Sequence, residues 1–204
     1  MIVAIEGMDG AGKTTMCEYI EKKYKFINIE KPTKFLYEDE KGIIDYKEYY
    51  ETLEMIYKTD ALTRTKFFGQ GNIMAVTKYP NSNIVLDRHL ASNYYWNGNK
   101  NLYSYYEELI RQCGKPDITI FLYATPRTRY KRLKQRNWKD LDLKDSTIFE
   151  DGTEKHIEFL DHFNLNYQII NTNDKTIREV YREVDSIMKK LTTEEQKQRK
   201  KKLT

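Results

Sequence analysis

Eight residues near the start of the chain, Gly7-Met8-Asp9-Gly10-Ala11-Gly12-Lys13-Thr14, fit G-x-x-x-x-G-K-[ST] without a gap. Glycines let a backbone wrap an anion with its N–H groups turned inward. Lys13 adds a point charge at the outer phosphates of a nucleoside triphosphate, and the Thr14 hydroxyl can ligate Mg²⁺. A second cluster is Asp87-Arg88-His89. An arginine can fork two phosphate oxygens at once, which makes Arg88 a candidate for a second phosphate. A third group is Arg129, Arg132 and Arg136, spaced i, i+3, i+7 so that they share one helical face. Such a stripe is usually a solvated surface, but phosphoryl transfer needs cations that arrive when a site closes.

These residues need elements that aim them. Residues 2–6 form a short, branched apolar run ahead of the glycines and read as a buried parallel strand. Residues 14–24 read as the helix after the loop, whose N-terminus favours negative charge. Further strand-like runs at 26–29, 83–86, 118–123 and 167–170 alternate with helical stretches. Five strands in that rhythm imply an α/β fold, a parallel sheet with helices on both faces. Ligands in such sheets bind beyond the carboxyl ends of the strands, where the glycine loop and Asp87-Arg88 both fall. Apolar stripes at 46–57 and 177–191 predict helices whose stripes are mostly core, the second capped by Asn173 or Asp174. Thr125 and Pro126 open a helix over 126–136. The polar, Asp-punctuated stretch after it reads as a mobile loop.

With 204 residues the chain is expected to form one domain able to bury a sizeable core. Hydrophobic residues make up 39%, so the 17 tyrosines are expected to supply much of that core. A net charge of +4 suits a small anionic substrate and does not demand nucleic acid. Much of the excess lies in a basic tail at about 192–204, which reads as a solvated end. Cys17 and Cys113 lack metal or redox spacing and are expected to be unpaired thiols in a reducing compartment. No apolar run approaches 18 residues, and Glu6 interrupts the N-terminal one too early for a signal peptide. A soluble cytoplasmic protein without membrane contact is expected.

The stretches IEGMDGAGKTT and LDRHLASNYYW resemble the thymidylate kinases. The first carries Glu6, Gly7, Asp9, Gly10, Gly12, Lys13, Thr14 and Thr15 of that family's phosphate loop. The second carries Asp87, Arg88, His89, Ser92 and Asn93. PRTRYKRLKQRNWKDLD looks like the family's lid, and YQIINTND like the segment lining its adenine pocket. The resemblance implies a P-loop kinase fold with five parallel strands and a mobile lid at about 132–152. It implies transfer of phosphate from ATP to dTMP with Mg²⁺. ATP would lie on Gly7 through Thr15. Asp9 would lie near the acceptor's sugar, Arg88 would clamp its phosphate, and Asp87 and Ser92 would lie beside it. Asn93 and Trp96 would line the nucleoside pocket. Lys13, Arg88 and the lid residues Arg132 and Arg136 would be the catalytic cations. The family is commonly dimeric, so a homodimer is a further expectation.

Two places depart from the family pattern. After the second strand the family shows a Pro near an Arg, where this chain has INIEKPTKF and offers Lys31 or Lys34. In the acceptor helix the family has an aromatic and, four positions on, an Arg. Here Tyr57 supplies the ring, position 61 is Ala, and Arg64 lies one turn further. The departures keep a deoxynucleoside kinase open, with Glu30 as general base on a sugar hydroxyl. They also leave open another base preference, and a non-catalytic nucleotide-binding protein of the same fold.

Overall fold

The computed structural model describes residues 1–137, 143 and 146–201. Five strands, β1 (Ile2–Glu6), β2 (Ile27–Glu30), β3 (Ile84–Asp87), β4 (Ile118–Tyr123) and β5 (Tyr167–Asn171), form one sheet in the order β2-β3-β1-β4-β5. Every neighbouring pair is parallel. The order turns at β1, and the crevice beyond its carboxyl end is where such sheets take ligands.

Strand side chains alternate between the two faces. Val3 and Ile5, with Val85, Ile118, Ile120 and Leu122, pack under the helices α1 (Lys13–Tyr24) and α8 (Ile177–Lys201). On the opposite face Ile84 and Leu86 meet Phe35 and Ala75, the latter on α3 (Ala61–Lys78). A second apolar cluster there joins α4 (Leu90–Asn97), α5 (Tyr103–Cys113) and α7 (Thr153–His162) through Tyr94, Tyr106 and Phe159. By the same alternation Glu6 falls on the α4 face, where it is fully buried. The remaining helices are α2 (Tyr46–Ile56) and α6 (Pro126–Arg136). The strands at 26–29 and 83–86 are each shifted one residue later, because their last pairing residues are Glu30 and Asp87.

Three expectations change. The α2 stripe is mostly not core. Only Tyr49 is buried, its hydroxyl 3.1 Å from Thr33 Oγ1, while Tyr46, Tyr50, Met55 and Tyr57 are exposed. Periodicity marks an apolar face, but α2 leans on the 3₁₀ turn Pro32–Tyr37 with one ring and leaves the others uncovered. The start of α8 is capped by Thr176 and Glu179 rather than Asn173 or Asp174. Thr176 N donates to Glu179 Oε2 at 2.7 Å, and Glu179 N donates to Thr176 Oγ1 at 3.4 Å. Asn173 is engaged elsewhere, accepting from Thr125 N at 3.0 Å. Finally, the end of the expected mobile loop is ordered into the core: residues 146–149 form a 3₁₀ turn with Ile148 2% exposed. The rest of that loop, at 138–142 and 144–145, and the tail at 202–204 lie outside the described residues.

Candidate active site

The glycine loop joins β1 to α1 by the shortest route. Gly7 (φ +135°) and Gly10 (φ +79°) take backbone that only glycine adopts easily. A Cβ on Gly10 would also lie 2.9 Å from Arg129 O, so α6 rests directly on the loop. Lys13 is buried, and its Nζ donates to Met8 O at 3.0 Å and lies 3.6 Å from Asp9 Oδ1. Burial, then the charge of Arg88, brings its pKa down to about 8. It remains an ammonium at neutral pH. Thr14 Oγ1 donates to Asp87 Oδ2 at 2.6 Å. Asp87, expected at the acceptor, thus turns its carboxylate to the donor loop. The two hard oxygens fit Mg²⁺, and Thr14 and Asp87 would be the residues to hold it. No cluster of three or more His, Cys, Asp or Glu that could hold a metal occurs among the described residues.

Arg88 faces this loop from the end of β3. Its backbone is left-handed (φ +78°), with its N–H donating to Ile5 O at 3.0 Å. The guanidinium pairs with Asp9 Oδ1 and donates to Ser92 Oγ at 3.2 Å and Gly7 O at 3.4 Å. Burial works against ionisation of Asp9, but Arg88 and Lys13 outweigh it and hold its carboxyl below the usual range. Behind Arg88 sits Glu6, which the sequence reading passed over as a site residue. It accepts from His89 N at 2.9 Å, Ser92 N at 3.0 Å and the Ser92 hydroxyl, closing the N-terminus of α4 from below. Burial raises its pKa against the pull of those bonds and of Arg88.

A polar network runs on from Ser92. Asn93 Nδ2 donates to Thr65 O at 3.0 Å, and its Oδ1 accepts from Asn97 Nδ2 at 3.1 Å. Asn97 Oδ1 accepts from Arg64 Nε at 3.2 Å, and Arg64 also donates to Thr59 O. Arg64 is therefore joined to Asn93, as a nucleoside pocket needs, through an Asn97 that the sequence reading did not single out. The Tyr57 ring is exposed but packs 6.0 Å from Phe68. Its hydroxyl pKa is raised, by desolvation first, with the charges of Arg88, Asp9 and Lys31 in range. Trp96 is half-buried against Tyr95. Lys31, standing where an arginine was expected, donates to Tyr50 at 3.3 Å.

The α6 arginines separate. Arg132 NH2 donates to Thr172 O at 2.6 Å and NH1 to Thr172 Oγ1 at 2.9 Å. It borders a cavity of about 240 Å³ with Gly12, Thr15, Thr172 and Lys175. That position, beside the loop and against the turn after β5, suits a base or sugar more than a moving phosphate contact. Arg136 is exposed at the end of α6. Arg129, noted only as part of the stripe, is 1% exposed. Spacing could find the stripe but not which member turns inward.

Two candidate anion sites flank Asp9, one on the glycine loop and one on Arg88. A five-stranded parallel sheet in this order, with a G-x-x-x-x-G-K-T loop leaving β1, defines the class of P-loop nucleotide kinases. The chain belongs to the thymidylate kinase family, whose family model matches residues 5–184. The thymidylate kinase of Acholeplasma laidlawii is 25% identical over 206 residues, covering 94% of this chain and all of that protein. The structure of a thymidylate kinase from Ehrlichia chaffeensis superposes with a TM-score of 0.60 at 18% identity, covering 93% of this chain and 98% of that one. A deoxyadenosine kinase from M. mycoides with bound dATP also superposes at 0.60, with 21% identity and coverage of 94% and 100%. No helix among the described residues is long and apolar enough to cross a membrane.

Proposed function

We propose that the protein transfers the γ-phosphoryl group of ATP to the phosphate of dTMP, giving ADP and dTDP. The observation that carries this reading is Arg88, a forked cation paired with Asp9 directly across from the phosphate loop. A monophosphate oxygen is already anionic near neutral pH. It attacks the γ-phosphorus without a general base and needs only positioning and charge neutralisation. The loop amides and Lys13 hold the donor phosphates, while Arg88 exchanges Asp9 for the acceptor phosphate and leaves Asp9 to meet the sugar. Thr14 and Asp87 are the residues that would hold Mg²⁺, which supplies further neutralisation of the donor phosphates. Arg132 borders the donor nucleoside, and Arg136 is the lid cation. Tyr57 packs on the acceptor base, while Arg64, Asn97 and Asn93 read its edge in place of the arginine missing at position 61. The names of the family relatives favour thymine as that base. The whole chain, 1–204, acts as one domain in this reading.

A second reading has one observation in its favour. Glu30 ends β2 directly opposite Asp87 in register, so a carboxylate does stand at the carboxyl edge of the sheet. In a deoxynucleoside kinase it would take the proton of a sugar hydroxyl. A coupled assay of ADP release over dTMP, dUMP, dCMP and dAMP tests the base preference. The account expects the highest kcat/KM for dTMP. A preference for dCMP or dAMP would overturn the base assignment.

A further inference from the structure

Arg129 is the largest fully buried side chain in the molecule's described part, and no carboxylate pairs with it. Its guanidinium is held by main-chain carbonyls instead. NH1 donates to Asp9 O at 3.4 Å, NH2 to Ile148 O at 2.9 Å, and NH2 also to Glu150 O. Its Nε is buried without a partner. A cation buried on carbonyls of two separate segments is costly to keep, so what it joins matters. One segment is the phosphate loop, at the residue whose carboxylate meets Arg88. The other is the chain returning to α7.

That returning segment touches the acceptor side as well. Glu150 Oε2 accepts from the Tyr95 hydroxyl at 2.6 Å, and Tyr95 lies on α4, the helix that begins just after Arg88. Lys155, the third residue of α7, donates to Tyr95 O at 2.8 Å. Gly152 (φ +67°) lies against Met8 of the phosphate loop, with no room for a Cβ beside the Met8 sulfur. Residues 148–152 thus stand between the donor loop and the acceptor helix and contact both.

We propose that Arg129, Glu150 and Tyr95 form a bridge that couples the donor loop to the acceptor helix. Arg129 is its positioning residue. The bridge sets the separation of two phosphates that must meet in line, where an error of about 1 Å costs on the order of 10²-fold in rate. Arg129 acts through Asp9 and through Glu150, whose main-chain carbonyls it holds. The proposal rests on the two-nucleotide reading of the site and is independent of the acceptor base.

Amide hydrogen exchange tests it without any acceptor. Mg²⁺ and a non-hydrolysable ATP analogue are added to the full chain, and exchange is followed at 90–97 and 148–152. In the wild type the analogue should slow both segments, by at least about threefold. Tyr95→Phe should keep the slowing at 148–152 and lose it at 90–97. Arg129→Met should lose it in both, and Arg129→Lys, which keeps the charge but one donor group, should restore it in part. In turnover, Arg129→Met should lower kcat on the order of 10²-fold with the KM for ATP changed less than about threefold. Slowing at 90–97 that survives Tyr95→Phe, or is absent from the wild type, overturns the bridge. If Arg129→Met fails to fold, the Tyr95→Phe comparison decides alone. Failure to phosphorylate dTMP would overturn the acceptor assignment and leave this comparison unaffected.

Discussion

At Arg88 a long cationic side chain stands on left-handed backbone, which costs a non-glycine residue about 1–2 kcal/mol. The cost is met by the bond from its N–H to Ile5 O and by Glu6, which fixes the amides of His89 and Ser92. The conformation aims the guanidinium back over the loop rather than along the strand. Arg88→Ala should therefore lower kcat with dTMP by roughly 10²–10³ and raise the acceptor KM, while the KM for ATP changes by less than about threefold. Steady-state kinetics with each substrate varied would show this, and equal weakening of both substrates would count against the assignment. The placement of Arg88 beside the phosphate loop was legible because an Asp-Arg pair at the end of a neighbouring parallel strand falls at the same edge of the sheet as that loop. Glu6 was not, because its partners lie more than 80 positions away and a carboxylate in a strand does not announce what it caps. For Asp87 and Arg132 the sequence did not say which neighbour each side chain meets: adjacency does not tell whether a side chain turns to Thr14 or to Thr172.

Among the elements, the strands and their order of appearance could be read closely, since short branched runs between helices leave little choice in a parallel sheet. Helix faces were less secure. The stripes of α2 and α8 look alike in sequence, yet α8 covers the sheet with Val180, Val184 and Met188 buried while α2 leaves most of its rings in solvent. The difference is set by what each helix lands on, which periodicity does not contain. The cap of α8 was misjudged by a few residues because Asn173, Asp174 and Thr176 are all good capping types, and only the Thr176–Glu179 exchange meets the helix start. Glu179→Ala removes the reciprocal half of that exchange and should lower the urea midpoint of unfolding. Urea denaturation would measure it. An unchanged midpoint would show that the cap is frayed.

At the scale of the whole molecule, two histidines are held neutral by the core. His89 is brought down to about 4 by burial. His156 is brought down to about 3 by burial first, with the charges of Arg88, Lys13 and Lys155 adding to it. Each keeps a buried Nε2 without a partner. The unfolded chain binds these protons near pH 6.5 and the folded chain does not. Stability from this source is therefore complete above 6.5 and is lost as the pH falls toward the folded values. By pH 5.5 the loss is on the order of 1 kcal/mol for each histidine. His156→Gln should remove one share, so its stability should fall less between pH 7 and 5.5 than that of the wild type. Equal pH dependence in urea melts of the two proteins would contradict the buried, neutral state. The positive charges of Arg88, Lys13 and Lys155 that add to the effect of burial on His156 are charges that two nucleotides would neutralise.

In the proposed reaction Arg88 faces a phosphate acceptor, not a sugar hydroxyl. Phosphorus NMR of the products from Mg-ATP with dTMP, and separately with thymidine, tests it most directly. The expected result is a diphosphate product from dTMP, matching dTDP, and no new monophosphate signal in the thymidine reaction. Formation of a monophosphate from thymidine, with dTMP left intact, would contradict it and would move the chemistry to Glu30.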